Sequence, residues 1–91
     1  MNTKSLKILI VDDEPLLREV LGLHLNGLGH QVVFEASNGV EAFDIFRFNS
    51  GMIDLVITDR DMIGGNGVKL IEDIKGLSPT TPVILCSGRD T

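Results

Sequence analysis

Ile8-Leu9-Ile10-Val11-Asp12-Asp13-Glu14 decides the fold: an aliphatic run that ends abruptly in consecutive acids. A short run of β-branched and aliphatic residues, polar at neither alternate position, reads as a strand buried on both faces of a parallel sheet. A second copy of the pattern follows at Leu55-Val56-Ile57-Thr58, closed by Asp59-Arg60-Asp61. Carboxylates where such strands emerge lie on the edge at which open α/β sheets bind their ligands. Neighbouring strands are only ~4.8 Å apart, so acids from two strand ends can meet at one point.

Working outward, the first strand covers residues 7–11, and Pro15 suits the opening turn of a helix that runs to about Leu28. Leu16, Leu17, Val20, Leu21, Leu25 and Leu28 follow helical spacing, with Leu23 broadening the stripe. Gly27 and Gly29 end that helix. Gln31–Ala36 reads as a strand with polar edges, at the margin of the sheet. Ser37-Asn38-Gly39 turns into a helix from about Val40 to Phe48, expected to bury Ala42, Phe43, Ile45 and Phe46. Asp54–Thr58 is the third strand. Asn66 is placed to cap a helix over Gly67–Gly76 that buries Val68, Leu70, Ile71 and Ile74. Ser78-Pro79-Thr80-Thr81-Pro82 is a stiff connector, and Val83–Ser87 is the fourth strand. Cys86 within it reads as a small buried hydrophobe.

The order βαβαβαβ with short spacings predicts right-handed crossovers and a doubly wound parallel α/β sheet. The pattern stops directly after a buried-type strand, where a further crossover of about 30 residues is expected. The 91 residues are therefore read as one domain, 1–91, incomplete at its C-terminus. Hydrophobic content of 43% with 23% charged residues is that of a globular chain. Eight basic against thirteen acidic residues, net −5, argue against a nucleic-acid surface. No apolar stretch approaches the ~20 residues of a membrane span. The start of the chain lacks the apolar segment of a signal peptide, and the expected location is cytoplasmic.

Asp12, Asp13 and Asp59 would bring three carboxylates together. Two like charges ~4 Å apart repel by about 4 kcal/mol at an effective dielectric of about 20, so the cluster calls for a cation. Mg²⁺ suits it, because it takes hard oxygen ligands and keeps positions that phosphoryl oxygens can fill. Asp59, at a strand end with Gly64-Gly65-Asn66-Gly67 behind it, is the candidate nucleophile for an acyl phosphate. Ser87, followed by Gly88, could donate to a phosphoryl oxygen on the neighbouring strand and so report its presence; the alternative is a strand-end hydroxyl bonded to water. Glu14 either shapes the site or is a solvated carboxylate favoured by the helix dipole. His24 and His30 read as surface or packing residues. The four phenylalanines read as core or helix-face residues, not as a base-stacking platform.

Four motifs in register resemble the receiver domain of two-component response regulators, with its flavodoxin-like fold: Lys7–Glu14, Ala36–Ala42, Asp54–Met62 with Gly67, and Pro82–Gly88. The resemblance implies the strand order 2-1-3-4, with the fifth strand and last helix missing. It implies that Asp59 accepts a phosphoryl group from a phosphohistidine on a sensor histidine kinase or histidine phosphotransfer protein. Asp13 and Asp59 would ligate Mg²⁺ directly, with the backbone carbonyl of Asp61 as a further ligand, and Asp12 would act through metal-bound water or a hydrogen bond. Ser87 would be the switch hydroxyl. Such a domain is a phosphoacceptor, not an enzyme with a separate substrate, and phosphorylation would shift an existing equilibrium.

The chain also departs from the family pattern. Ile63 stands where a Pro is common, which suggests a more mobile loop, and Asp61 adds an acid that either positions water or repels it. The family's strand-end Lys and aromatic switch residue would fall beyond Thr91, and Arg89 is not a substitute for that Lys. Without those parts the fourth strand becomes an exposed apolar edge and the first helix keeps an uncovered stripe. Marginal stability or self-association through either is expected. Two alternatives remain: a degenerate receiver that acts only as a protein-interaction module, and, remotely, a fragment of a haloacid-dehalogenase-type phosphatase using Asp59-Arg60-Asp61. The latter leaves Asp12 and Asp13 without a role.

Overall fold

Four residues of β1 (Lys7–Val11) have almost no contact with solvent: Ile8 and Leu9 are 0% exposed, Ile10 and Val11 1%. β1 is flanked on both sides by parallel partners, β2 (Gln31–Ala36) and β3 (Leu55–Asp59), and β3 pairs in parallel with β4 (Val83–Cys86). The order is β2-β1-β3-β4, as the family resemblance implies, with β2 at the margin. The computed structural model describes residues 4–62 and 65–86, with the backbone alone described at Met62, Gly65 and Asn66.

Alternate residues of a strand point to opposite faces, so each face of the sheet carries its own core. On one face, Ile8, Ile10 and Ile57 meet α1 (Pro15–Gly27) through Leu21 and Leu25, with Val32 and Leu55 alongside. Pro15 costs nothing at the first turn, where its missing N–H has no partner in the helix. Gly29, at φ 94°, turns the chain out of α1 into β2 in the left-handed region open to glycine.

The other face is covered by α2 (Gly39–Asn49) and α3 (Gly67–Leu77). There Ala42, Phe46, Leu70 and Ile74 pack with Leu9, Val11, Ala36, Ile53 and Val56. α2 is well anchored at its start. Asn38 Oδ1 accepts the Glu41 N–H at 2.8 Å, and Glu41 Oε1 accepts the Ser37 N–H at 2.8 Å, a reciprocal arrangement close to a capping box.

The structure corrects several expectations. The third strand is shifted by one residue: Asp54 lies outside the ladder, its amide bonded to Lys7 O at 2.7 Å and its carboxylate to Lys7 N at 2.9 Å. Val68 is 49% exposed, because the face of α3 set by Gly67, Leu70 and Ile74 turns it away from the sheet. Phe43, Ile45 and Ile71 are only partly buried. Cys86 is exposed, contrary to its reading as a buried hydrophobe. Among the described residues β4 pairs only with β3, and Ile84 and Leu85 are 47% and 37% exposed. Between β3 and α3, Asp61 pairs with Asn66 and Met62 with Gly65 in a two-residue antiparallel ladder that the Gly-rich pattern does not announce. The capping role expected of the Asn66 side chain, and the loop position Ile63, lie outside what is described. Among the described residues no helix is long and apolar enough to cross a membrane.

Candidate metal centre at the strand ends

The pairing of β1 with β3 sets Val11 opposite Thr58, so the residues that follow, Asp12 and Asp59, leave the sheet side by side. One carboxylate oxygen from each of Asp12, Asp13 and Asp59 lies within 4.8 Å of the other two. All three side chains are partly buried. The acids expected to converge from residues 12, 13 and 59 do so.

Each acid is set by its local backbone. Asp12 donates its N–H to Ala36 O at 3.0 Å, continuing the β1–β2 ladder by one bond. Its Oδ1 accepts the Glu14 N–H at 2.9 Å, which bends the chain toward α1. Asp59 closes β3, and its Oδ1 accepts the Asp61 N–H at 3.3 Å, so the main chain of Asp61 touches the Asp59 carboxylate. Beneath it, Arg60 donates to Cys86 O at 2.9 Å and accepts from the Gly67 N–H at 3.0 Å. A Cβ on Gly67 would stand 2.5 Å from Asp59 O and 2.7 Å from Leu85 Cδ1. Only glycine lets α3 begin this close to the main chain of Asp59.

Burial pushes the Asp12 carboxyl above the ordinary aspartate value; the Glu14 amide pulls it back, while the charges of Asp59, Asp13 and Glu14 push it up again. A raised carboxyl means the folded chain holds this proton more tightly than the unfolded one. The metal-free protein therefore loses stability as pH climbs from the ordinary value through the raised one. A cation among these acids removes that penalty. The donors are oxygens only, the set preferred by Mg²⁺ or Ca²⁺ over softer metals, and their mutual reach fits one ion.

Other expected residues fall away from this centre. The Glu14 side chain is exposed and makes no cap bond. His30 Nδ1 accepts the Leu6 N–H at 3.1 Å, and His24 Nδ1 lies 3.1 Å from Val20 O, both packing roles. Ser87 and Arg89 lie outside the described residues. Sequence reading missed Arg18: its Nη1 donates to Asp12 O, and its Nε pairs with Glu35 Oε1 at 3.0 Å. The signal was available, a basic residue one turn into the helix that follows the acid pair.

A doubly wound sheet of this order with acids gathered on its carboxyl edge has the architecture of flavodoxin-like signalling domains. The chain belongs to the response regulator receiver domain family, whose model it matches over residues 8–91. It is 38% identical over 88 residues to the autoinducer 1 sensor kinase/phosphatase LuxN of Vibrio campbellii, covering 97% of this chain and 10% of that protein. Among solved structures it is similar to a chain from the CheX–CheY–BeF₃–Mg complex of Borrelia burgdorferi, with a TM-score of 0.87 and 25% identity over 91% of this chain and 62% of that one. It is also similar to a chain from the complex of histidine kinase ThkA with response regulator TrrA, with a TM-score of 0.79 and 34% identity over 93% of this chain and 71% of that one. A receiver is a phosphoacceptor domain of two-component phosphorelay signalling.

Proposed function

We propose that Asp59 takes a phosphoryl group from a phosphohistidine on a histidine kinase or phosphotransfer protein, assisted by a magnesium ion held by Asp13 and Asp59, with Asp12 and the backbone carbonyl of Asp61 completing the protein's share. The observation that carries this reading is the convergence of the carboxylates of Asp12, Asp13 and Asp59 within 4.8 Å. It gives Asp12 and Asp13 a role that the phosphatase reading denies them. When bound, the ion supplies positive charge that offsets the acids and attracts phosphoryl oxygens. The Asp61 N–H orients the Asp59 carboxylate for attack. An Asp59 oxygen forms the new O–P bond as the N–P bond of the phosphohistidine breaks, and the departing imidazole nitrogen keeps the electron pair. Support for such a partner comes from the kinase–regulator complex, and support for the ion from the BeF₃–Mg complex, each a property of a similar protein. Ser87, assigned as the switch hydroxyl, follows Cys86, which stands opposite Asp59 in the β3–β4 register.

Incubation with acetyl phosphate and Mg²⁺ should add one phosphoryl group, detected by intact-mass measurement and abolished by EDTA or Asp59→Asn. A folded, Mg²⁺-loaded sample that stays unlabelled would leave only the interaction-module alternative.

A further inference from the structure

Asp12 O and the Asp13 N–H belong to one planar peptide unit, so whatever holds the first sets the direction in which Asp13 leaves the chain. Asp12 O is held by the Arg18 guanidinium, which reaches it from α1. The same guanidinium is held from the opposite side by Glu35 of β2, at 3.0 Å from Nε. Its side chain is 17% exposed against 51% for Glu35, so the charged bond to the carbonyl is partly shielded from water. Charge-assisted bonds of this kind are stronger than neutral ones, and the rigid guanidinium fork can serve two acceptors at once, which an ammonium does with less definition.

We infer that Arg18 is a positioning residue for the metal centre: braced by Glu35, it fixes the 12–13 peptide and thereby places Asp13 for a divalent cation. The inference rests on the magnesium reading given above. Asp12, Asp13 and Asp59 repel one another in the absence of an ion, and the brace resists their spreading. Magnesium demands near-ideal octahedral geometry, so a displaced Asp13 lowers its affinity.

Charge alone predicts the opposite sign. Deleting a cation near three acids would strengthen the attraction for Mg²⁺, whereas losing a brace weakens binding. The test is a Mg²⁺ titration of the whole chain followed by calorimetry and by backbone amide NMR, with wild type, Arg18→Met and Arg18→Lys compared at matched folded fraction. Arg18→Met, which keeps most of the aliphatic stem, should bind roughly tenfold more weakly. Arg18→Lys, which keeps the charge, should fall between it and wild type. In the metal-free chain, amide exchange at Asp13 should quicken in Arg18→Met beyond the change seen in the β1 core, a local effect that loss of global stability does not produce.

Unchanged or tighter binding in Arg18→Met overturns the inference, as does wild-type affinity in Arg18→Lys with exchange at Asp13 unaltered. Where Arg18→Met fails to fold, Arg18→Lys decides: weakened binding supports the brace and wild-type binding refutes it. A wild-type chain that binds no Mg²⁺ fails the metal reading itself and takes the inference with it. A wild type that binds while both variants match it fails the inference alone.

Discussion

The α2/α3 face of the sheet and the α1 face are built from the same strands and hold their helices very differently. On the first, Phe46, Leu70 and Ile74 reach 1% exposure or less and join a continuous core with Leu9, Val11 and Val56. On the second, α1 has no fully buried residue, and Leu16 and Leu23 are each 67% exposed. The site straddles this difference. Asp59 continues through Gly67 into α3, on the tightly packed side, whereas Asp12 and Asp13 continue into α1, on the loosely packed side. Asp59 is thus secured by packing. The acid pair depends on discrete polar ties: the Ala36 carbonyl, the Glu14 amide and the Arg18 guanidinium.

The sharpest way to break this contrast is to hollow out the packed side. Phe46→Ala should cost about 3–5 kcal/mol, a large part of the ~5–15 kcal/mol a domain commonly has. Urea unfolding followed by circular dichroism measures it, and a loss under ~1 kcal/mol would show that this face is not the main core.

Gly67→Ala tests whether the packed side positions Asp59. Its Cβ meets main chain at 2.5 Å, so a cost of about 1–3 kcal/mol from overpacking is expected. The rate of labelling at Asp59 should drop further than stability alone explains, read as the initial rate at saturating acetyl phosphate.

A smaller effect is expected at the start of α2. Asn38→Ala should cost about 1 kcal/mol through the lost cap. Here pH adds a check. The Ser37 amide, and then its hydroxyl, hold the Glu41 carboxyl below the ordinary glutamate value. Its stabilising contribution is therefore present above that ordinary value and lost as pH falls through the lowered one. Glu41→Gln should flatten this part of the profile of unfolding midpoint against pH.

Least of all should happen at Leu23→Gln on the α1 face, within about 0.5 kcal/mol by urea unfolding. A loss of several times that size, or a change in sedimentation with concentration, would mean that this stripe is covered in solution and the contrast between faces is smaller than it looks.

Where a residue's surroundings are local, the chain announced them. Ile8–Val11 and Val56–Ile57 carry their burial in their composition, and the acids behind them meet because parallel pairing leaves little freedom of register. Asn38 likewise shows its cap in the spacing to Glu41. Val68 was misplaced because Gly67, not a larger apolar residue, faces the sheet, and helical spacing counts apolar side chains. Cys86 was misplaced because burial of a strand depends on what lies beside it, which composition does not carry. Arg18 escaped notice for a related reason: its partners, a backbone carbonyl and a residue of an edge strand, leave no motif.

The exposed thiol of Cys86 has a practical corollary. The sequence contains no tryptophan or tyrosine, so the domain is nearly silent to intrinsic fluorescence. Its lone sulfhydryl sits across one strand spacing from Asp59, in register with it. A maleimide dye attached there would sense events at the carboxyl edge without any engineered residue, turning a misread core position into a built-in reporter.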